Sequence, residues 1–176
     1  MKNVYLIGYM GSGKSTAGKQ LARLLDYSFI DLDHAFEETY RISIVDFFQK
    51  YDEEAFRLIE RRLLQSTFSL EKHVISTGGG TACYSDNIHL INQHGLSVYI
   101  RMHPDSLFLR LKNAKRPRPR ISELNDEELK VQIFDDMQHR DDLYKLAHFH
   151  IKGESLDFKA LASLIAPELG ISLQAD

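Results

Sequence analysis

Residues 8–15 read Gly8-Tyr9-Met10-Gly11-Ser12-Gly13-Lys14-Ser15 and satisfy G-x-x-x-x-G-K-[ST] at every fixed position. The chemistry of that string is anion capture. Glycines let a backbone wrap closely and aim several N–H groups at one phosphate. A helix starting near Lys14 points its positive end at the same place. The Lys14 ammonium adds a full charge for β- and γ-phosphates, and the Ser15 hydroxyl suits Mg²⁺. Gly11, Ser12 and Gly13 supply the wrapping backbone, and Thr16 is placed for a helix or nucleotide contact. A fortuitous glycine-rich turn is the competing reading. The apolar run before the motif and the helical pattern after it argue against that. The motif implies a nucleoside triphosphate and leaves the acceptor open.

Further along stands Asp31-Leu32-Asp33 at the end of an apolar run. Alternation along a strand sends the two carboxylates in similar directions. One suits a metal, directly or through water, and the other an acceptor hydroxyl. The alternative is helix capping, with Asp33 as N-cap of a helix that starts at His34; a neighbouring phosphate loop favours the functional reading. Thr77-Gly78-Gly79-Gly80-Thr81 offers backbone that a small ligand can approach closely, and a simple tight turn rarely needs three glycines. No Asp ends that strand, so a metal-binding role passes to Asp31 or to water.

Arg57 falls in the first turn and a half of a helix, where a cation is unfavourable. An anionic substrate explains it, and so does pairing with Glu53, Glu54 or Glu60; spacing alone leaves both open. Lys112 to Arg120 is a basic spike on an acidic chain, readable as a nucleic-acid or targeting patch, a solvated loop, or a hinged lid. Beside a phosphate loop, the lid reading over about 112–122 is preferred, with an arginine closing over the γ-phosphate. His148 and His150 share a strand face without a third ligand in sight, and Cys83 reads as a small core residue.

These residues need a scaffold, and 176 residues supply one domain spanning 1–176. A chain of 20.3 kDa buries roughly 70% of its unfolded surface, and 43% hydrophobic content supplies the core. With 22 Lys+Arg against 25 Asp+Glu the net charge is -3, which argues against a nucleic-acid partner. One cysteine excludes an internal disulfide and a multi-cysteine zinc site. No run approaches the ~18 apolar residues of a membrane span. Val4 to Ile7 is too short for a signal-peptide core, and the expectation is a soluble, cytoplasmic protein.

Apolar runs alternate with helical patterns, the signature of a parallel α/β sheet. Strands are predicted over Asn3 to Ile7, Ser28 to Leu32, His73 to Ser76, Leu96 to Ile100 and Phe149 to Ile151. The first helix runs from about Lys14 to Leu25 with Ala17, Leu21, Leu24 and Leu25 on one face. Others start at Ser43 and Asp52, at Ser85 (ending at Gly95), at Pro104, at Asn125 and near Leu156.

Taken together the sequence resembles the shikimate kinases from Val4 to about Leu169. The motifs that carry the resemblance are the phosphate loop through Thr16, Phe29-Ile30-Asp31-Leu32-Asp33, Phe56-Arg57-x-x-Glu60, Ser76-Thr77-Gly78-Gly79-Gly80-Thr81, Arg118-Pro119 and Arg140-Asp141-Asp142-Leu143-Tyr144. The resemblance implies a three-layer P-loop kinase fold with a five-stranded parallel sheet ordered 2-3-1-4-5 and helices on both faces. It implies transfer of the ATP γ-phosphoryl group to the 3-hydroxyl of shikimate, on the route to chorismate and the aromatic amino acids. Asp33 then binds the shikimate hydroxyls and serves as base, with Lys14 and Arg118 as its catalytic companions. Arg57, Gly79, Gly80 and Arg140 bind the substrate, with substrate-binding helices over about 34–62. Planar arginines suit its carboxylate. Ser15 and Asp31 serve Mg²⁺, Arg110 stacks on adenine, and the family's adenine-contacting loop after the fifth strand, around Gly153-Glu154-Ser155, is weakly matched and is given no catalytic role. The family's lid commonly reads Arg-Pro-Leu-Leu; here it reads Arg118-Pro119-Arg120-Ile121 after Arg116-Pro117, and Arg118 is preferred for phosphate. The implied partners are shikimate and ATP alone, with no nucleic acid or membrane, and the chain is expected to be a monomer. Rival readings are a gluconate-type kinase and a nucleotide-binding module without catalysis.

Overall fold

The computed structural model describes residues 2–114, 121 and 124–172. Asn3–Ile7 forms strand β1, and all five of its residues are buried. A strand hidden on both faces belongs mid-sheet, and alternation splits its side chains between two cores. Val4 and Leu6 share a buried cluster with Ala17, Leu21 and Leu25 of α1 (Lys14–Leu25) and with Leu161 and Ile165 of α8 (Phe158–Leu169). Tyr5 and Ile7 face the other way. Their cluster takes Leu64 of α4 (Glu53–Ser66), Ile88 of α5 (Asn87–His94), Leu107 of α6 (Pro104–Lys112) and Ile133 of α7 (Asp126–Tyr144).

The other strands are β2 (Ser28–Asp31), β3 (His73–Ser76), β4 (Gly95–Arg101) and β5 (Phe149–Lys152). All pairings are parallel, and the order is β2-β3-β1-β4-β5, as the family resemblance implies. The register sets Leu6 and Asp31 each opposite Ser76, so the carboxyl ends of β1, β2 and β3 share one edge. That edge is where open parallel sheets bind ligands. Over it lie α2 (Leu32–Tyr40), α3 (Ile44–Lys50) and α4, joined by Phe36, Phe47 and Phe56. Phe36 sits 5.2 Å from Phe47 and 5.1 Å from Phe56 between ring centroids, distances at which aromatic pairs add to simple burial.

Several helix starts match their capping residues. Ser43, Asp52 and Asn125 each accept a first-turn N–H, and Asn125 with Glu128 makes a full capping box. Three local readings need correction. Strand β2 stops at Asp31, held there by pairing with Ser76, so Asp31 and not Asp33 caps the next helix. Helix α5 begins at Asn87, and Ser85 is a left-handed residue ahead of it with φ 53°. Helix α5 stops at Gly95 as predicted, its N–H donating to the Ile91 carbonyl; the residue is extended and opens β4, and glycine is needed because a Cβ there would meet the Asn3 carbonyl at 2.5 Å. Leu24 stands 36% exposed, and Gly18 and Ala22 complete the buried stripe of α1. Among the described residues no helix is long and apolar enough to cross a membrane.

Candidate active site

From Ile7 the chain turns into the phosphate loop, where Gly8, Gly11 and Gly13 all have positive φ. Gly13 is the N-cap of α1 at φ 94°, a conformation an L side chain resists, and as a glycine it offers no side chain to cap the helix start. The first-turn N–H groups of α1 are thus left for an anion. Lys14 is buried and folds back over the loop, its Nζ donating to the carbonyls of Gly8 at 2.8 Å and Tyr9 at 2.9 Å. The Ser12 hydroxyl is buried in the loop with no hydrogen-bond partner among the described residues. Ser15 and Thr16 lie exposed in the first turn of α1. Arg110 spans from the Gly11 and Ser12 carbonyls to the Gly153 carbonyl, each at 3.4 Å, and so flanks the nucleotide side of the loop.

Beside this cradle lies a cavity of about 530 Å³, lined among others by Met10, Ser15, Asp31, Asp33, Arg57, Glu60, Gly79, Gly80 and Arg140. Asp31 does two jobs. Its Oδ1 accepts from the Asp33 and His34 N–H groups at 3.0 and 3.3 Å, and its Oδ2 accepts from the Ser15 hydroxyl at 2.5 Å. Capping and a metal-side role are therefore compatible in one carboxylate. Asp33 sits in the first turn of α2, where negative charge is favoured. It reaches the cavity from a helix, not by strand alternation as the sequence suggests.

The glycines after β3 are explained by close approach. A Cβ on Gly79 would stand 2.8 Å from the Met10 backbone nitrogen, and one on Gly80 would stand 2.5 Å from Arg57 Nη2. The loop backbone thus fills the space between the phosphate loop and a pocket arginine. The Tyr144 hydroxyl donates to the Gly79 carbonyl, and the Thr81 hydroxyl donates to Glu60 Oε1 at 2.6 Å. Gly80→Ala must displace the Arg57 guanidinium, a positional error of the size that costs about 10²-fold when it reaches reacting groups. The expected result is a raised KM for the acceptor with the KM for nucleotide unchanged, measured by steady-state kinetics.

Arg57 satisfies both of its readings. Its Nη1 donates to Glu60 at 2.7 Å and its Nη2 to Glu53 at 3.1 Å, while the side chain lines the cavity. Burial works to lower its pKa, but the Glu60 and Glu53 carboxylates hold it above the ordinary value. Arg140 donates from Nη2 to Asp136 at 2.8 Å, and its guanidinium carbon stands 5.4 Å from the Tyr9 ring centroid. Burial opposes its charge too, and Tyr144, Asp136 and Tyr9 outweigh it. Both guanidiniums stay charged at the cavity wall.

Arg118, with Arg116 and Arg120, lies outside the described residues, as does most of the expected lid. His148 bonds Ser97 at 3.0 Å and His150 bonds the Lys145 carbonyl at 3.0 Å. No group of three or more His, Cys, Asp or Glu among the described residues is arranged to hold a metal. Burial pushes the Cys83 thiol up to about 11, so it stays protonated and unreactive at neutral pH. Iodoacetamide labelling of the folded protein should be negligible at pH 7 and accelerate only as the pH approaches that value; rapid labelling at pH 7 would contradict this environment.

Sequence reasoning missed Tyr9, Asp136 and Thr81 as partners of the site. The i, i+4 spacing from Asp136 to Arg140 on α7 was a usable signal. The contact of Tyr9 with Asp136 joins residues 127 apart and left none.

The strand order and the loop at the end of β1 place the chain in the class of P-loop kinases. Within that class, the shikimate kinase family profile matches residues 10–168, and the chain belongs to that family. It is 40% identical to the shikimate kinase of Parabacteroides distasonis over 156 residues, 89% of this chain and 90% of that protein. The crystal structure of shikimate kinase from Bacteroides thetaiotaomicron is similar at a TM-score of 0.87 and 35% identity, covering 97% of this chain and 99% of that one. Shikimate kinase from Acinetobacter baumannii in complex with shikimate gives 0.83 and 32%, covering 94% and 90%.

Proposed function

We propose that this protein transfers the γ-phosphoryl group of ATP to the 3-hydroxyl of shikimate, giving shikimate 3-phosphate and ADP on the route to chorismate. The observation that carries the reading is the meeting of Asp33, Arg57 and Arg140 in one cavity that opens against the phosphate loop. Arginine forks suit a carboxylate held in a fixed plane, and Gly79 and Gly80 offer the ring bare backbone. Asp33 faces the acceptor hydroxyl. A carboxylate is far too weak a base to turn an alcohol into an alkoxide beforehand. In a loose phosphoryl-transfer transition state it orients the hydroxyl and accepts the proton late. Lys14 and the loop N–H groups stabilise the phosphoryl charge, with Arg118 assigned to the same task by family resemblance.

The donor set fits Mg²⁺: the Ser15 hydroxyl and the Asp31 carboxylate are in contact on the cavity wall. Mg²⁺ uses one or two protein oxygens and takes the rest from phosphates and water. When bound it neutralises phosphate charge as that charge develops. The protein acts in this reading as a cytoplasmic monomer with two small-molecule substrates, its site within one domain and its lid over about 112–122.

The test is ADP release from ATP and Mg²⁺ with shikimate, quinate or gluconate as acceptor. Turnover should require shikimate. Turnover of gluconate in its place supports the gluconate-type kinase, and nucleotide binding without any turnover supports the non-catalytic module.

A further inference from the structure

Tyr9 occupies the second position of the phosphate loop, yet its side chain is buried in the core at 1% exposure. Its hydroxyl donates to Asp136 Oδ2 at 2.7 Å. Asp136, 8% exposed, gives its other oxygen to Arg140 Nη2 at 2.8 Å. The Arg140 guanidinium also lies against the Tyr9 ring, 5.4 Å from its centroid. The arginine is thus held by a carboxylate on one donor and by an aromatic face, and that carboxylate is itself held by the ring's hydroxyl. Neither Tyr9 nor Asp136 lines the cavity, whereas Arg140 does.

A long arginine side chain samples many rotamers, and a forked donor is useful to a carboxylate only when its plane is fixed. We propose that Asp136, anchored by Tyr9, is a positioning residue that fixes Arg140 for the acceptor's carboxylate. The proposal rests on the reading of Arg140 as a carboxylate donor. Asp136 accepts from Nη2 and the Tyr144 hydroxyl also bonds the guanidinium, and with five N–H groups the fork can still offer donors to the ligand. The same bonds tie the arginine to the phosphate loop, since the Tyr9 carbonyl accepts from Lys14. Buried carboxylates need partners in any case, so the alternative is a structural ion pair that acts on stability alone.

The two are separated by steady-state kinetics and thermal unfolding of Tyr9→Phe, Asp136→Ala, Asp136→Asn and Arg140→Ala, and of Asp136→Ala combined with Arg140→Ala. Positioning predicts that Asp136→Ala raises the acceptor KM about tenfold, the scale of a hydrogen bond to a charged group, with the ATP KM unchanged. Asp136→Asn keeps an oxygen for the guanidinium and should recover most of that loss. In the Arg140→Ala background, Asp136→Ala should add nothing to the acceptor KM, because groups that act through one another are not additive. Tyr9→Phe keeps the ring under the guanidinium and deletes only the anchor, so it serves if Asp136→Ala does not fold. It should raise the acceptor KM about threefold. An acceptor KM unmoved by Asp136→Ala or Tyr9→Phe, with the melting temperature alone lowered, overturns the proposal and leaves the arginine reading intact. An acceptor KM unmoved by Arg140→Ala overturns both.

Discussion

Asp33→Asn is expected to lower kcat by about two to four orders of magnitude, the range over which a positioned acid–base group contributes. Asparagine matches aspartate in shape, so it still fills the first turn of α2 against the glycine loop; Asp33 Oδ1 lies 3.0 Å from where a Cβ on Gly78 would stand. What asparagine lacks is a basic oxygen to take the proton as the phosphoryl group arrives. Stability should change little. Losing a negative charge from a helix start removes about 0.3–1 kcal/mol, and the cap itself belongs to Asp31, which the substitution leaves in place. The expected signature is a collapsed kcat with near-normal acceptor affinity and an almost unchanged melting temperature. Near-wild-type turnover would remove Asp33 from the chemistry.

Lys14→Met should cost about 10²–10³ in kcat, the usual result of removing one preorganised donor from developing charge. Here the effect has a second source. Lys14 Nζ ties together the Gly8 and Tyr9 carbonyls, and hydrogen bonds from a charged donor contribute about 1.5–3 kcal/mol each. Methionine fills the space without replacing either bond, so the melting temperature of the free protein should fall together with the rate. Acceptor binding without nucleotide should survive, because Lys14 does not line the acceptor cavity. Equilibrium titration alongside kinetics separates the two contributions. Loss of acceptor binding in this variant would mean that the loop and the cavity are not independent sites.

The centre of the sheet was legible in the sequence because β1, β3 and β4 are buried almost throughout and so read as largely apolar runs. Asn3–Ile7 and His73–Ser76 fall at the predicted bounds. Helix starts at Ser43, Asp52 and Asn125 were equally legible, since capping is chemistry within four residues. Capping misled where several cap-forming residues stand together. Asp31 and Asp33 both suit an N-cap, and the choice was made by the pairing of Asp31 with Ser76 on another strand. Ser85-Asp86-Asn87 offers three such residues in a row, and Asp86 is claimed by Arg61 at 2.6 Å.

The site divides along the same line. The phosphate loop, the acid pair and the triple glycine are local strings whose residue types announce their chemistry. Which charges meet is not local. Arg57 was left open between two partners and took both. Arg140 drew its orientation from a tyrosine that the motif treats as any residue. Long-range polar contacts of that kind are set only after the sheet has brought the end of β1 beside α7.

The most direct test is a crystal structure of the protein with ADP, Mg²⁺ and shikimate bound. The account predicts the shikimate carboxylate within hydrogen-bonding distance of Arg57 and Arg140, and a ring hydroxyl at Asp33 facing the phosphate loop. Shikimate bound elsewhere, with both guanidiniums engaged only by Glu53, Glu60 and Asp136, would contradict it.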